Sequence, residues 1–148
     1  MKLYINALLL VAVLFIAGCS KDNSGTPSLT EKDKILVQYP WKLVNVTDLN
    51  GKAIPTNQLN AQTQYIPLLD IEFVVGNKVY AKDAALQVQN GGTWYLKENN
   101  QFLEVDVVGF KGNFGVNELS NARMKLKSTM PIAGVDQETL MVFQPVIK

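Results

Sequence analysis

The chain has no histidine, a single cysteine and no apolar run long enough to cross a bilayer. Without histidine it lacks the commonest general base and the commonest zinc ligand. A Ser-His-Asp triad is impossible, although composition leaves serine–lysine arrangements open. With only Cys19, no disulfide can close within the chain, so the fold must be held by its core. Neither sign of charge is in excess. Lys2 is the only charge in residues 1–18, which leaves 13 basic and 13 acidic side chains beyond them. Nucleic-acid binding rests on clustered Lys and Arg, and the densest basic stretch here, Arg123, Lys125 and Lys127, alternates along one strand face as a solvated surface does. No catalytic group, metal ligand set or cofactor is expected, and the chain is not expected to be an enzyme.

What is present begins at the N-terminus. Lys2 precedes an apolar run over 8–16, and the small residues Ala17 and Gly18 stand immediately before Cys19. The run is shorter than the roughly 20 residues a spanning helix needs. The segment resembles a bacterial lipoprotein signal ending in a lipobox, Ile16-Ala17-Gly18-Cys19. That likeness implies export, cleavage before Cys19 and a lipid on its sulfur, with several acyl chains making a stable membrane anchor. Ser20 after the cysteine points to the outer membrane of a Gram-negative envelope. Lys21-Asp22 partly resembles a surface-export signal, and the periplasmic and surface faces both stay open.

The expected organisation is a signal over 1–18, a lipidated polar tether over 19–28 and one domain over 29–148. Thr30-Glu31-Lys32-Asp33 has the spacing of a helix N-terminus in which Thr30 caps and Asp33 bonds back. Pro40 ends that short helix. From Trp41 onward the apolar period is two. Residues 68–75 place Leu69, Ile71, Phe73 and Val75 on one face, with Asp70 and Glu72 opposite. Gly76-Asn77 is expected as a two-residue turn. Residues 79–82 return, 84–89 alternate with Leu86 and Val88 inward, Gly91-Gly92 turns, and 93–97 carry Trp94 and Leu96 on one face. A turn at 98–100 leads to 101–108, with Leu103, Val105 and Val107 inward and Glu104 and Asp106 outward. Residues 109–112 turn into a strand at Phe114 and Val116, 123–127 follow, and 139–143 close the series. About eight strands joined mostly by tight turns make an all-β, antiparallel up-and-down barrel with a short N-terminal helix. Two connections are long, 48–67 and 129–138.

The short helix, the tryptophan opening the first strand and the long first loop are similar to those of a lipocalin-like barrel. Trp41-Lys42-Leu43-Val44, Gly92-Thr93-Trp94-Tyr95-Leu96 and 119–126 (LSNARMKL) resemble landmarks of small lipocalin-like lipoproteins of Gram-negative bacteria. The resemblance implies that Arg123 lies over the Trp41 indole, a favourable pairing. It also implies a small hydrophobic ligand in the barrel mouth.

An eight-stranded barrel is just wide enough either to be filled by side chains or to hold one small ligand. The inward set, Leu69, Ile71, Phe73, Leu86, Val88, Trp94, Leu103, Val105 and Val107, serves either as a ligand-binding lining or as a solid core. Asp70 with Glu72 and Glu104 with Asp106 are the best paired carboxylates, but they are expected on the solvent face rather than across a cleft. Tyr65, Tyr80, Tyr95 and Phe110 are candidates for stacking on sugars or partners. Two functions follow. One is a membrane-anchored, non-enzymatic module binding a small apolar ligand under the 49–67 loop. The other is an accessory lipoprotein with a filled barrel that meets a protein or glycan partner through its loops.

Overall fold

The structure, a computed structural model, describes residues 28–83, 85 and 88–147, with residues 88–90 described by their backbone alone. The expectations for the signal, for Cys19 and the tether over 19–27, and for Leu86 lie outside the described residues, as does the side chain of Val88.

Helix α1 (Glu31–Gln38) begins as its sequence dictates. Thr30 accepts from the Asp33 backbone N–H, and the Asp33 carboxylate accepts from the Thr30 N–H at 2.8 Å. Eight strands follow: β1 (Trp41–Thr47), β2 (Asp70–Val74), β3 (Lys78–Lys82), β4 (Val88–Lys97), β5 (Phe102–Val107), β6 (Phe110–Ser120), β7 (Arg123–Ile132) and β8 (Val135–Pro145). Each pairs antiparallel with its sequence neighbours, and β8 pairs back onto β1, so the sheet is a closed barrel. The first long connection carries a short helix, α2 (Ala61–Tyr65), between two 3₁₀ turns, Thr56–Gln58 and Ile66–Leu68.

The alternation in β2 and β5 falls on the faces its pattern predicts. Leu69, Ile71, Phe73, Leu103, Val105 and Val107 are all buried, and Glu104 and Asp106 are outside. Trp41, Trp94, Phe110, Phe143, Met124 and Leu126 complete the centre of the core. Each such side chain contributes about 1.5–3 kcal/mol on burial, which is how a chain without a disulfide holds its shape.

Four local expectations are corrected. Gly91-Gly92 is no turn. β4 runs straight through it, because a Cβ on Gly92 would stand 1.8 Å from the Asp106 carbonyl oxygen, and only glycine lets β4 and β5 approach there. The 129–138 connection is no long loop. Thr129 pairs with Glu138 and Ile132 with Val135, around a turn at Ala133 and Gly134 whose φ values are 49° and 85°. Two positive values in a two-residue hairpin are the twist-matched choice. The turn after β2 holds three residues, not two, since Val74 pairs with Lys78, and Val75 is consequently exposed. The 109–112 turn is shorter than expected, since Val107 pairs with Phe110 and leaves only Val108 and Gly109 outside the ladder.

The two barrel ends are closed differently. α1 lies across one, with Leu36 fully buried and the Lys32 ammonium donating to the Leu119 carbonyl at 2.8 Å. The 48–69 connection lies across the other. There Ile66 and Thr63 are buried, and the Ala133 N–H donates to the Gln58 carbonyl at 3.0 Å, tying the connection to the β7–β8 hairpin.

Candidate functional site

The seven described lining candidates pack against one another as core: Leu69, Ile71, Phe73, Trp94, Leu103, Val105 and Val107 are each 0–2 % exposed. Phe73 and Trp94 meet edge to face, with centroids 5.8 Å apart. The Trp94 indole N–H donates to the Val74 carbonyl at 3.0 Å, and Asn77 binds both backbone groups of Trp94, so the 75–77 turn and β4 are locked together. Half-open hollows lie around this core, and a groove of about 290 Å³ on the outer wall is lined by Gln101, Phe102, Gly115, Val116, Asn117 and Lys127. One hollow of about 60 Å³ separates β1 from the 54–67 segment. One of about 100 Å³ lies at the α1 end, where Trp94 borders it beside Ser28 and Asp33.

The other candidates are distributed over the surface and the rim. Trp41 is fully buried, with its indole N–H on the Leu36 carbonyl at 2.9 Å. Arg123 is exposed, with its Nε on Glu118 at 3.0 Å. Glu118 also takes Lys125 at 3.2 Å. The hydrogen bond from Arg123 is the main reason its carboxyl titrates below the ordinary 4.5, with Lys125 adding to it and partial burial opposing. The paired carboxylates sit on the outer face, and each has its own lysine: Asp70 with Lys42 at 3.1 Å, Glu72 with Lys82, Glu104 with Lys97, and Asp106 with Lys111 at 3.0 Å. No two of them face one another across a cleft, so the geometry that paired-acid chemistry needs is not formed by these four. Tyr65 and Tyr95 are roughly half exposed and Tyr80 is partly buried, whereas Phe110 is 1 % exposed and belongs to the core.

The barrel wall has two thin places. β1 and β2 share only two pairs, Trp41 with Ile71 and Lys42 with Asp70. The chain patches that gap itself: Ala53 bridges to Thr47, and the Ile54 N–H donates to the Val46 carbonyl at 2.9 Å. The second is the fork between β6 and β7. Their ladder starts at the Asn121-Ala122 turn, absorbs a bulge between Val116 and Glu118, and stops at Gly115 and Lys127. Beyond that point 110–114 pair only with β5 and 128–132 only with β8.

Between the two strands lies a cavity of about 110 Å³, lined by Gln62, Thr63 and Ile66 from the α2 region, by Gly109, Phe110, Lys111 and Phe114, and by Ser128, Met130 and Met141. Phe110 and Phe114 are stacked, 4.9 Å apart and 10° from parallel. That stack depends on Gly112, where a Cβ would meet the Phe114 ring at 2.8 Å. The Thr63 hydroxyl donates to the Met130 sulfur at 3.9 Å. None of these lining residues apart from Phe110 is singled out by sequence reasoning. The signal was nevertheless present: Gly112 and Ser128 interrupt inward series that are otherwise Phe110, Phe114 and Met124, Leu126, Met130, Ile132.

No protein-family model matches the chain. No curated relative matches it. Among solved structures it is similar to a lipocalin-like protein from Bacteroides uniformis ATCC 8492, at 14 % identity over 76 % of this chain and 99 % of that one, with a TM-score of 0.49.

Proposed function

We propose that this chain is a lipid-anchored, non-enzymatic envelope protein whose filled barrel is a rigid support for contacts made on its outer surface and loops. One observation carries this reading. The side chains that would line a ligand site are the core itself, and the hollows of about 60–110 Å³ at its edges fall short of the roughly 300–1,000 Å³ of a ligand pocket, while a larger one of about 290 Å³ is an open groove on the outer wall beside Phe102, Asn117 and Lys127. The connection over 48–69 is tied to the β7–β8 hairpin rather than standing off as a loose lid. The anchor rests on the Ile16-Ala17-Gly18-Cys19 segment, and Ser20 favours the outer membrane.

Two measurements test the proposal. A fluorescent fatty-acid probe titrated into the protein should give no signal that unlabelled fatty acid displaces. Saturable, displaceable binding would instead favour a small apolar ligand in the barrel mouth. Wild type should incorporate labelled palmitate, and Cys19→Ser should stay unprocessed and unlabelled. Normal labelling of that variant removes the anchor.

A further inference from the structure

We propose that the fork between β6 and β7 is a strand-addition site, and that its ligand is an extended, uncharged peptide segment of another protein that places one apolar side chain in the cavity. The inference rests on the reading that this protein works through its outer surface, and it names where.

Three features of the fork point to this ligand. The first is backbone. Residues 110–114 and 128–132 are strands with a partner on one side only, and they diverge from a common ladder. Unpaired strand edges offer N–H and C=O groups that an added strand satisfies. At the other thin place in the wall, β1 against β2, the chain supplies such a segment from its own residues 53–54. Among the described residues nothing plays that part between β6 and β7. Pro131 has no N–H, which limits the β7 edge to the stretch nearest the fork.

The second feature is volume. The 110 Å³ here is a half-open hollow in which Gln62, Thr63, Lys111 and Ser128 rim an apolar floor, so it has room for one side chain and none for a lipid, since ligand pockets measure roughly 300 Å³ or more. Its floor is the Phe110–Phe114 stack with Met130 and Met141. Methionine is the adaptable lining that peptide-binding surfaces favour. Ser128 leaves the space open by being small at an inward position, while Gly112 makes room for the Phe114 ring of the floor.

The third is charge and connectivity. The two lysines nearest the fork are already paired, Lys111 with Asp106 and Lys127 with Glu138, so complementarity asks for a neutral segment. Ser28, the first described residue, lies at the opposite rim beside Gly76 and Trp94, and no described segment of the chain reaches the fork as a strand.

The experiment is hydrogen exchange on the full-length protein in detergent, read by mass spectrometry. The probe is a capped heptapeptide of alternating threonine and leucine, and the control is the same peptide N-methylated on its backbone. At about 1 mM probe, exchange over 110–114 and 128–132 should slow by about tenfold while the other strands stay unchanged. The N-methylated peptide should have no effect. Ser128→Phe, which fills the cavity from a half-buried position, should abolish the protection without lowering the thermal midpoint. Three results overturn the proposal: no slowing at that concentration, equal slowing by the N-methylated control, or protection that appears with protein concentration alone alongside dimer formation, which would give the seam to a second copy. None of these outcomes alters the fatty-acid titration, so this inference and the filled barrel can fail separately.

Discussion

The indole N–H of Trp41 donates to the Leu36 carbonyl oxygen at 2.9 Å, and both residues are fully buried. Leu36 lies in the last turn of α1, where four backbone carbonyls lack helical partners. The first side chain of the sheet therefore satisfies the end of the helix that precedes it. Lys32, one turn earlier, reaches the Leu119 carbonyl, so α1 is fastened at two points.

Trp41→Phe removes the donor and leaves both an unpaired carbonyl and a void. The variant should lose about 2–4 kcal/mol, seen as a lower urea midpoint at an unchanged slope. A loss below about 0.5 kcal/mol, the range of an ordinary surface change, would mean that this bond does not hold the helix in place.

The adjacent glycines of β4 should behave unequally. Alanine at Gly92 places its Cβ on the Asp106 carbonyl and forces β4 from β5, at a cost of about 3 kcal/mol or more. Alanine at Gly91 meets the Tyr80 ring at 3.3 Å, a side chain that can move, and should stay within about 1 kcal/mol. Thermal unfolding of the two variants decides the matter, and equal costs would remove the argument for close strand approach.

Glu118 links stability to acid. Its folded carboxyl titrates below 4.5 because Arg123, then Lys125, hold the charged form. A carboxyl lowered on folding contributes stability that is complete above the unfolded value and lost as the pH falls through the folded one. The difference between wild type and Glu118→Gln should thus be constant above about pH 5 and shrink as the solution is acidified below it. Because the group is only partly buried and its Arg123 partner is exposed, the difference should be small and should shrink in salt. Urea midpoints across that range check it, and a difference that grows toward acid would reverse the sign.

Much of this was legible in the chain because the features are local. The Thr30–Asp33 box needs only four residues, and the alternation of Leu69, Ile71 and Phe73 or of Leu103, Val105 and Val107 needs only the pleat. The misreadings arose where distant pairing overrides a local cue. Gly91-Gly92 has the composition of a turn, but Asp106 on the neighbouring strand needs the space. Pro131 and the polar run Asp136, Gln137 and Glu138 hide a hairpin whose β8 arm loses its alternation because residues 135–138 are exposed on both faces. The fork itself is hidden for the same reason: Gly112 and Ser128 mark a break in the inward series, but where β6 and β7 part company is a matter of register between them.

The Val146 N–H donates to the Pro40 carbonyl at 2.8 Å, so the described chain goes into the sheet and comes out of it side by side. Cargo or a label fused after residue 147 would share that vestibule with the N-terminal lead-in. The far lip, with Tyr65, Leu68 and Val108 in the open, stays clear for a bulky visitor whichever terminus is loaded.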